Sequence, residues 1–203
     1  MSINNVRKFV ANLRQAQNCQ NYWLGLVVFT LVCMGCSLDY AGMAIAPGST
    51  LPEFELSMPN LPGMSEYLNV EGVSSLSLSK IPAKLIVVEF FDIYCHKCYQ
   101  NAPIANQLYN SIKEDKQLNR NIKMIGIGLE SKPEEIAEYR QKFNVDFPLF
   151  PDPQKDVRIE SKVKHVPLTI VVDNSGKVLM SHVGVIWDVD AFLTEIKICH
   201  KTL

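Results

Sequence analysis

Residues 85–98 read LIVVEFFDIYCHKC, from Leu85 to Cys98, and the order of residues in this stretch decides the architecture. Leu85 to Phe91 is a near-continuous β-branched and aromatic run, the pattern of a strand covered on both faces, so it belongs in the centre of a sheet. Asp92, Ile93 and Tyr94 break the run. Ile104, Leu108 and Ile112 then recur on one helical face, which predicts a helix from about Cys95, kinked at Pro103.

Cys95 and Cys98 therefore stand at the mouth of a helix. Unpaired N–H groups and the helix dipole stabilise an anion there, and the thiolate is the nucleophilic form of cysteine. The i, i+3 spacing lets the second sulfur reach the first across one turn, so the pair can alternate between dithiol and disulfide without refolding. His96 and Lys97 add donors and positive charge between them. The same spacing also suits half of a zinc site, or an inert pair. Against a metal site, there is no second Cys-x-x-Cys, and His96, His165, His182 and His200 show no regular ligand spacing.

Outward from the pair, Ile122 to Leu129 reads as a second strand. Ser131 with Glu134 forms a capping box for a helix that has Pro133 in its first turn and Ile136, Tyr139 and Phe143 on its buried face. Asp152 to Val163 is expected as a short helix. Leu168 to Asp173 and Lys177 to Val183, joined by a turn at Asn174 to Gly176, read as a hairpin. Asp188 caps a last helix that turns Val189, Phe192, Leu193 and Ile196 inward. Pro47 to Ser79, rich in Pro, Gly, Ser and Asn, is expected as loops and short strands. The order strand, helix, strand, helix, hairpin, helix predicts an α/β chain with a central mixed sheet flanked by helices.

Ahead of this body, Arg7, Lys8 and Arg14 precede Tyr22 to Leu38, which carries no charge. A positive flank followed by an apolar run reads as an export signal or a membrane anchor that delivers the rest of the chain to the outer face. The run, residues 22–38, is borderline for a full span. Cleavage after Ala44, lipidation at Cys36 and an uncleaved anchor all remain open. The expected division is an export signal or anchor over residues 1–46 and one domain over 47–203.

Of the 203 residues, 47% are hydrophobic and 20% charged, which is an ordinary globular make-up. Lys and Arg together number 20 against 21 Asp and Glu, so no positive field exists to gather phosphate backbones, and nucleic acid is not an expected partner. Cys19, Cys33 and Cys36 lie in the first part and Cys95, Cys98 and Cys199 in the rest, which is no disulfide scaffold. Cys199 is expected as a buried apolar residue of the last helix.

With these residues in place, the chain resembles the thioredoxin fold over about residues 47–200. Within that fold it resembles the exported thiol:disulfide oxidoreductases of the TlpA and ResA type, related to the AhpC/TSA redoxins. Glu89, six residues before Cys95, falls where thioredoxins carry their buried strand carboxylate. Pro103, five after Cys98, matches the family's helix-kinking proline. Val166-Pro167-Leu168-Thr169 looks like the family's cis-proline loop, and Gly184 matches the glycine after the hairpin. The stretch from Ile122 to Val163 resembles the strand and helix that the TlpA and redoxin groups insert. The chain departs from the family in having Tyr94 where Trp is usual and His96-Lys97 in place of a proline-containing dipeptide. Asp92, three before Cys95, differs from the Thr or Ser of peroxiredoxins.

The resemblance implies roles. Cys95 would be the attacking thiolate, Cys98 the resolving thiol and Glu89 a proton relay with a carboxyl raised by burial. Tyr94, His96, Lys97, Val166 and Pro167 would contact substrate, the backbone of Val166 acting as a strand-like docking edge, and Tyr94 with Trp187 could form an apolar rim. The redox-active Cys95–Cys98 pair would serve without a further cofactor. Exported proteins bearing thiols or disulfides are the expected partners, with a membrane thiol-electron donor, in the bacterial periplasm or at the outer face of the cytoplasmic membrane. The competing expectation is a copper carrier that uses Cys95, Cys98 and His165.

Overall fold

The structure, a computed structural model, describes residues 45–59 and 61–203. The expected export signal or anchor spans residues 1–46, of which all but Ile45 and Ala46 lie outside the described residues, as do the Tyr22 to Leu38 run and Cys36. In chain order come β1 (Leu56–Ser57), α1 (Met64–Leu68), β2 (Ser75–Leu76), β3 (Leu85–Phe91), α2 (His96–Glu114), α3 (Lys116–Asn121), β4 (Ile122–Leu129), α4 (Pro133–Phe143), β5 (Leu149–Asp152), α5 (Asp156–Ser161), β6 (Leu168–Asp173), β7 (Val178–Val183) and α6 (Val189–Lys201). Among the described residues, no helix is long and apolar enough to cross a membrane.

A five-stranded sheet runs β5-β4-β3-β6-β7. β3, β4 and β5 pair in parallel, while β6 pairs antiparallel with both β3 and β7, so the sheet is mixed and β3 is central. Every residue of β3 is buried, as its unbroken apolar run requires. Alternation sends Ile86, Val88 and Phe90 to one face, where Leu56, Leu68, Leu76 and Ile81 of the N-terminal segment and Val157 of α5 cover them. Leu85, Val87 and Phe91 point to the other face, beneath α2, α4 and α6. The short antiparallel pair β1-β2 belongs to the N-terminal cover, whose first described residue, Ile45, is itself buried.

Several local details differ from the sequence reading. The start of α4 is shifted by one residue from the expected capping box. Lys132 is the N-cap and its N–H donates to Glu135 Oε2 at 2.8 Å, whereas Ser131 Oγ turns back to the Leu129 carbonyl. Proline explains the shift: with Pro133 at the first helical position, the residue before it is pushed to extended backbone and cannot itself be helical. β5 was not expected, and Asp152 ends this strand instead of opening a helix; α5 begins only at Asp156. The polar stretch after α2 forms α3, capped by Asp115, which accepts from the N–H groups of Gln117 and Leu118. α1 is a further short helix inside the segment expected as loops and strands. Cys199 is half-buried rather than buried, packed at the margin of the α6 core.

β4 brings α4 close to the sheet because it carries Gly126 and Gly128 on the helical face. A Cβ at Gly128 would collide with Ile136 Cδ1, and one at Gly126 would meet Leu149 Cδ2 at 2.5 Å. The missing side chains leave room for α4 and β5, and so set where Tyr139 can reach.

Candidate active site

β3 delivers Glu89 to the sheet interior, and its C-terminal end hands the chain to Cys95 through a tight turn. Asp92 Oδ1 accepts the N–H of Tyr94 at 2.8 Å and the Asp92 carbonyl accepts the N–H of Cys95 at 3.1 Å. Cys95 is the N-cap of α2, with extended backbone, and its Sγ accepts the N–H of Cys98 at 3.3 Å. The same N–H also reaches the Cys95 carbonyl at 3.0 Å, so the sulfur shares this helix N-terminal donor with a backbone oxygen, in the position a serine or aspartate side chain takes at other helices. The same Sγ lies 3.6 Å from the carbonyl of Val166, to which the thiol donates. The peptide bond between Val166 and Pro167 is cis, as the family resemblance implied.

Cys98 is inaccessible, while Cys95 is partly exposed. Burial first, then the hydrogen bond with Cys95 and the nearby charge of Glu89, push the Cys98 thiol well above its ordinary range. The two sulfurs thus differ in access as well as in electrostatics. Behind them Glu89 is 2% exposed. Burial raises its carboxyl from 4.5 to about 7, opposed by a hydrogen bond from Asn101 Nδ2 at 2.9 Å. An edge position paired with a lysine, the alternative for a lone charge in such a strand, is not what the fold provides: β4 and β6 flank β3, and Glu89 forms no ion pair among the described residues.

Three buried polar residues complete the site, and the sequence reading had named none of them as functional. Asn101, fully buried on α2, donates to Glu89 and accepts the N–H of Ile186 at 2.9 Å. Tyr139 of α4 donates its hydroxyl to the Cys98 carbonyl at 3.1 Å and stacks on Phe91; burial, then the charges of Glu89 and Cys98, hold it protonated. Thr169, opposite Glu89 in the β3–β6 register, has a buried Oγ1 without a hydrogen-bond partner among the described residues. A signal for Asn101 was available: it lies on the inward stripe of α2 that Cys98, Ala105, Leu108 and Ile112 define.

Cys95, Cys98, Glu89, Val166 and Pro167 converge at the C-terminal end of the sheet. Tyr94, His96 and Lys97 ring this cluster on the solvent side. Tyr94 is 80% exposed and its hydroxyl donates to Glu135 of α4 at 3.3 Å, and the His96 ring lies against Gln100 one turn along the helix. Trp187, after β7, is 82% exposed. His165 is exposed and joins no cluster: among the described residues no group of three His, Cys, Asp or Glu side chains comes together to hold a metal ion, so Cys95, Cys98 and His165 do not form the ligand set of a copper carrier.

Comparison with known proteins agrees with this geometry. A family profile described as thioredoxin-like matches residues 83–178, which hold β3, both cysteines and the cis-proline loop. The thiol-disulfide oxidoreductase ResA of Geobacillus kaustophilus is 24% identical over 156 residues, covering 76% of this chain and 80% of the relative. The protein of the same description from Halalkalibacterium halodurans is 22% identical over 131 residues, 64% of this chain and 71% of that one. Among solved structures, the thioredoxin domain of a thiol-disulfide oxidoreductase from Bacteroides vulgatus superposes with a TM-score of 0.56 at 20% identity, covering 76% of this chain and 98% of the domain. StoA from Bacillus subtilis superposes with a TM-score of 0.53 at 14% identity, over 74% of this chain and 99% of StoA. The fold, the cysteine pair at a helix mouth and these relatives converge: the chain carries a thioredoxin-like domain over residues 83–178 and is a thiol-disulfide oxidoreductase.

Proposed function

We propose that the protein is exported and exchanges disulfides with partner proteins outside the cytoplasm, Cys95 attacking and Cys98 resolving. The observation that carries the order of attack is the contrast between the two sulfurs. Cys95 Sγ is reachable and accepts a helix N-terminal N–H, while Cys98 is sealed beneath it. The Cys95 thiolate attacks one sulfur of a partner disulfide, forming a mixed disulfide and releasing the other sulfur as a thiolate. Cys98 then loses its proton to the Glu89 carboxylate and attacks Cys95 Sγ. The partner's remaining sulfur leaves and takes up a proton, so two electrons pass to the partner and Cys95–Cys98 becomes a disulfide. The cysteine pair alone supplies the chemistry, and every step runs in reverse when the protein oxidises a dithiol.

Val166 and Pro167 lie where an extended partner segment would dock beside the sulfur, and Tyr94, His96 and Lys97 stand on the approach to it. Export is supported by Arg7, Lys8 and Arg14 ahead of the uncharged Tyr22 to Leu38 run. A membrane thiol-electron donor is the partner class that would reset the pair in that compartment. Trapping tests the reading directly. Cys98→Ser should accumulate mixed disulfides with exported proteins, because Cys95 still attacks and nothing releases the product, whereas Cys95→Ser should trap almost none. Were Cys95→Ser the better trap, the assigned roles of the two cysteines would be reversed.

A further inference from the structure

The acid buried behind the sulfurs has one side-chain donor among the described residues, Asn101 Nδ2 at 2.9 Å. That amide does not belong to Glu89 alone. Its Oδ1 accepts the N–H of Ile186 at 2.9 Å, and Ile186 is buried in the same core as Cys98, in the loop that joins β7 to α6. With donor and acceptor both engaged, the amide has a fixed orientation: rotating it by half a turn would set its NH₂ against the Ile186 N–H and its oxygen against the carboxyl. A fully buried amide held in this way leaves the facing carboxyl oxygen a single direction from which to accept.

We propose that Asn101 is the positioning residue of the exchange reaction, holding the Glu89 carboxyl toward Cys98 and tying it to the β7–α6 loop. The proposal rests on the reading that Glu89 takes the Cys98 proton. Asn101 itself touches neither the partner nor a reacting sulfur in that scheme, and its effect passes through Glu89. Other groups facing the carboxyl act differently. Cys98 and Cys95 on α2 and Tyr139 on α4 are the titratable ones, β4 presents Gly126, and β6 presents the unpartnered Thr169 hydroxyl. Of these neighbours, only the Asn101 amide is seen to donate to the carboxyl, so it is the group that favours the ionised form against burial.

The test follows Glu89 itself, by side-chain carbon-13 NMR of the reduced full chain as a function of pH. Asn101→Leu removes the donor, so the Glu89 midpoint should move up by about one pH unit or more. Asn101→Asp keeps the size and the acceptor for Ile186 but replaces the donor with a second carboxyl; one proton should then be retained to higher pH still, shared by the pair. The Asp variant serves if the Leu variant does not fold. Single-turnover release of a mixed disulfide supplies the second readout. Asn101→Leu should change its pH profile in the wild-type background and leave it unchanged in the Glu89→Gln background, because there is no longer a carboxyl to position. A Glu89 midpoint that stays put in the folded variants overturns the proposal, as does an equal effect on release in both backgrounds. Release unaffected by Glu89→Gln would break the proton-relay reading instead, and the midpoint would still report on Asn101.

Discussion

The two faces of β3 are equally dry and differ in one residue. Toward the N-terminal cover stand Ile86, Val88 and Phe90, all apolar; toward α2 stand Leu85, Val87 and Phe91, with Glu89 among them. The first face has only packing to do. On the second, a carboxyl withdrawn from water opposes folding whenever it ionises, and it stands beside a buried thiol. The difference teaches where the molecule gives up stability and what lies next to that place: a group costly to the fold, set against the thiol that the proposed exchange requires to lose a proton.

The sharpest way to break this division is to cut into each face in turn. Phe90→Ala, on the purely apolar face, should cost about 3 to 5 kcal/mol in urea unfolding and leave Cys95 the first thiol alkylated by iodoacetamide in the folded protein. Reversal of the alkylation order by Phe90→Ala would show that both faces serve the chemistry. Glu89→Gln should have a pH-dependent effect of opposite sign. The folded carboxyl titrates near 7 and the unfolded one near 4.5. Between these values the unfolded chain releases a proton that the folded chain keeps, so wild-type stability falls as pH rises through that window and levels off above it. The variant should therefore match wild type at pH 4 and exceed it by about 3 kcal/mol at pH 8, while mixed-disulfide release slows. A difference that does not grow between those two pH values would contradict the burial of the charge. The smallest effect belongs to Cys199, half-buried at the edge of the helical face. Cys199→Ala should cost under about 1 kcal/mol and leave insulin reduction intact; a large loss of turnover at unchanged melting temperature would bring that thiol into the mechanism.

How far the sequence could be read depended on the length of each signal. β3, α2, β4, the β6–β7 hairpin and α6 announce themselves by long runs or repeated spacing, and all of them form. β5 escapes because Pro148 precedes it and Pro151 sits inside it, which argues against a strand unless the strand lies at an edge, as this one does. α1 spans five residues between Gly63 and Asn69, both in left-handed backbone, too few for a helical period to show. The two cysteines were legible from their spacing, and Glu89 and Pro167 from their offsets to the family pattern. Tyr139 is legible as part of the buried face of its helix but its hydrogen bond is not, and Asn101 carries no local signal of its role, because their partners, the Cys98 backbone and Ile186, lie 41 and 85 residues away in the chain.

Cys95 is the cap of α2 and, in the proposed exchange, also the attacking thiol, and that double duty has a thermodynamic consequence. Forming the disulfide would turn the capping sulfur from an anionic or thiol acceptor into a weaker one, so its share in holding the Cys98 N–H, alongside the Cys95 carbonyl at 3.0 Å, should be smaller in the oxidised protein than in the reduced one. Any free energy that the cap confers on the reduced form alone must reappear in the half-cell, making the pair easier to reduce. About 1 kcal/mol of such preference corresponds to about 20 mV. Helix capping and electron affinity are linked through this sulfur, and the link is measurable by melting the two redox forms or by poising them against a thiol buffer.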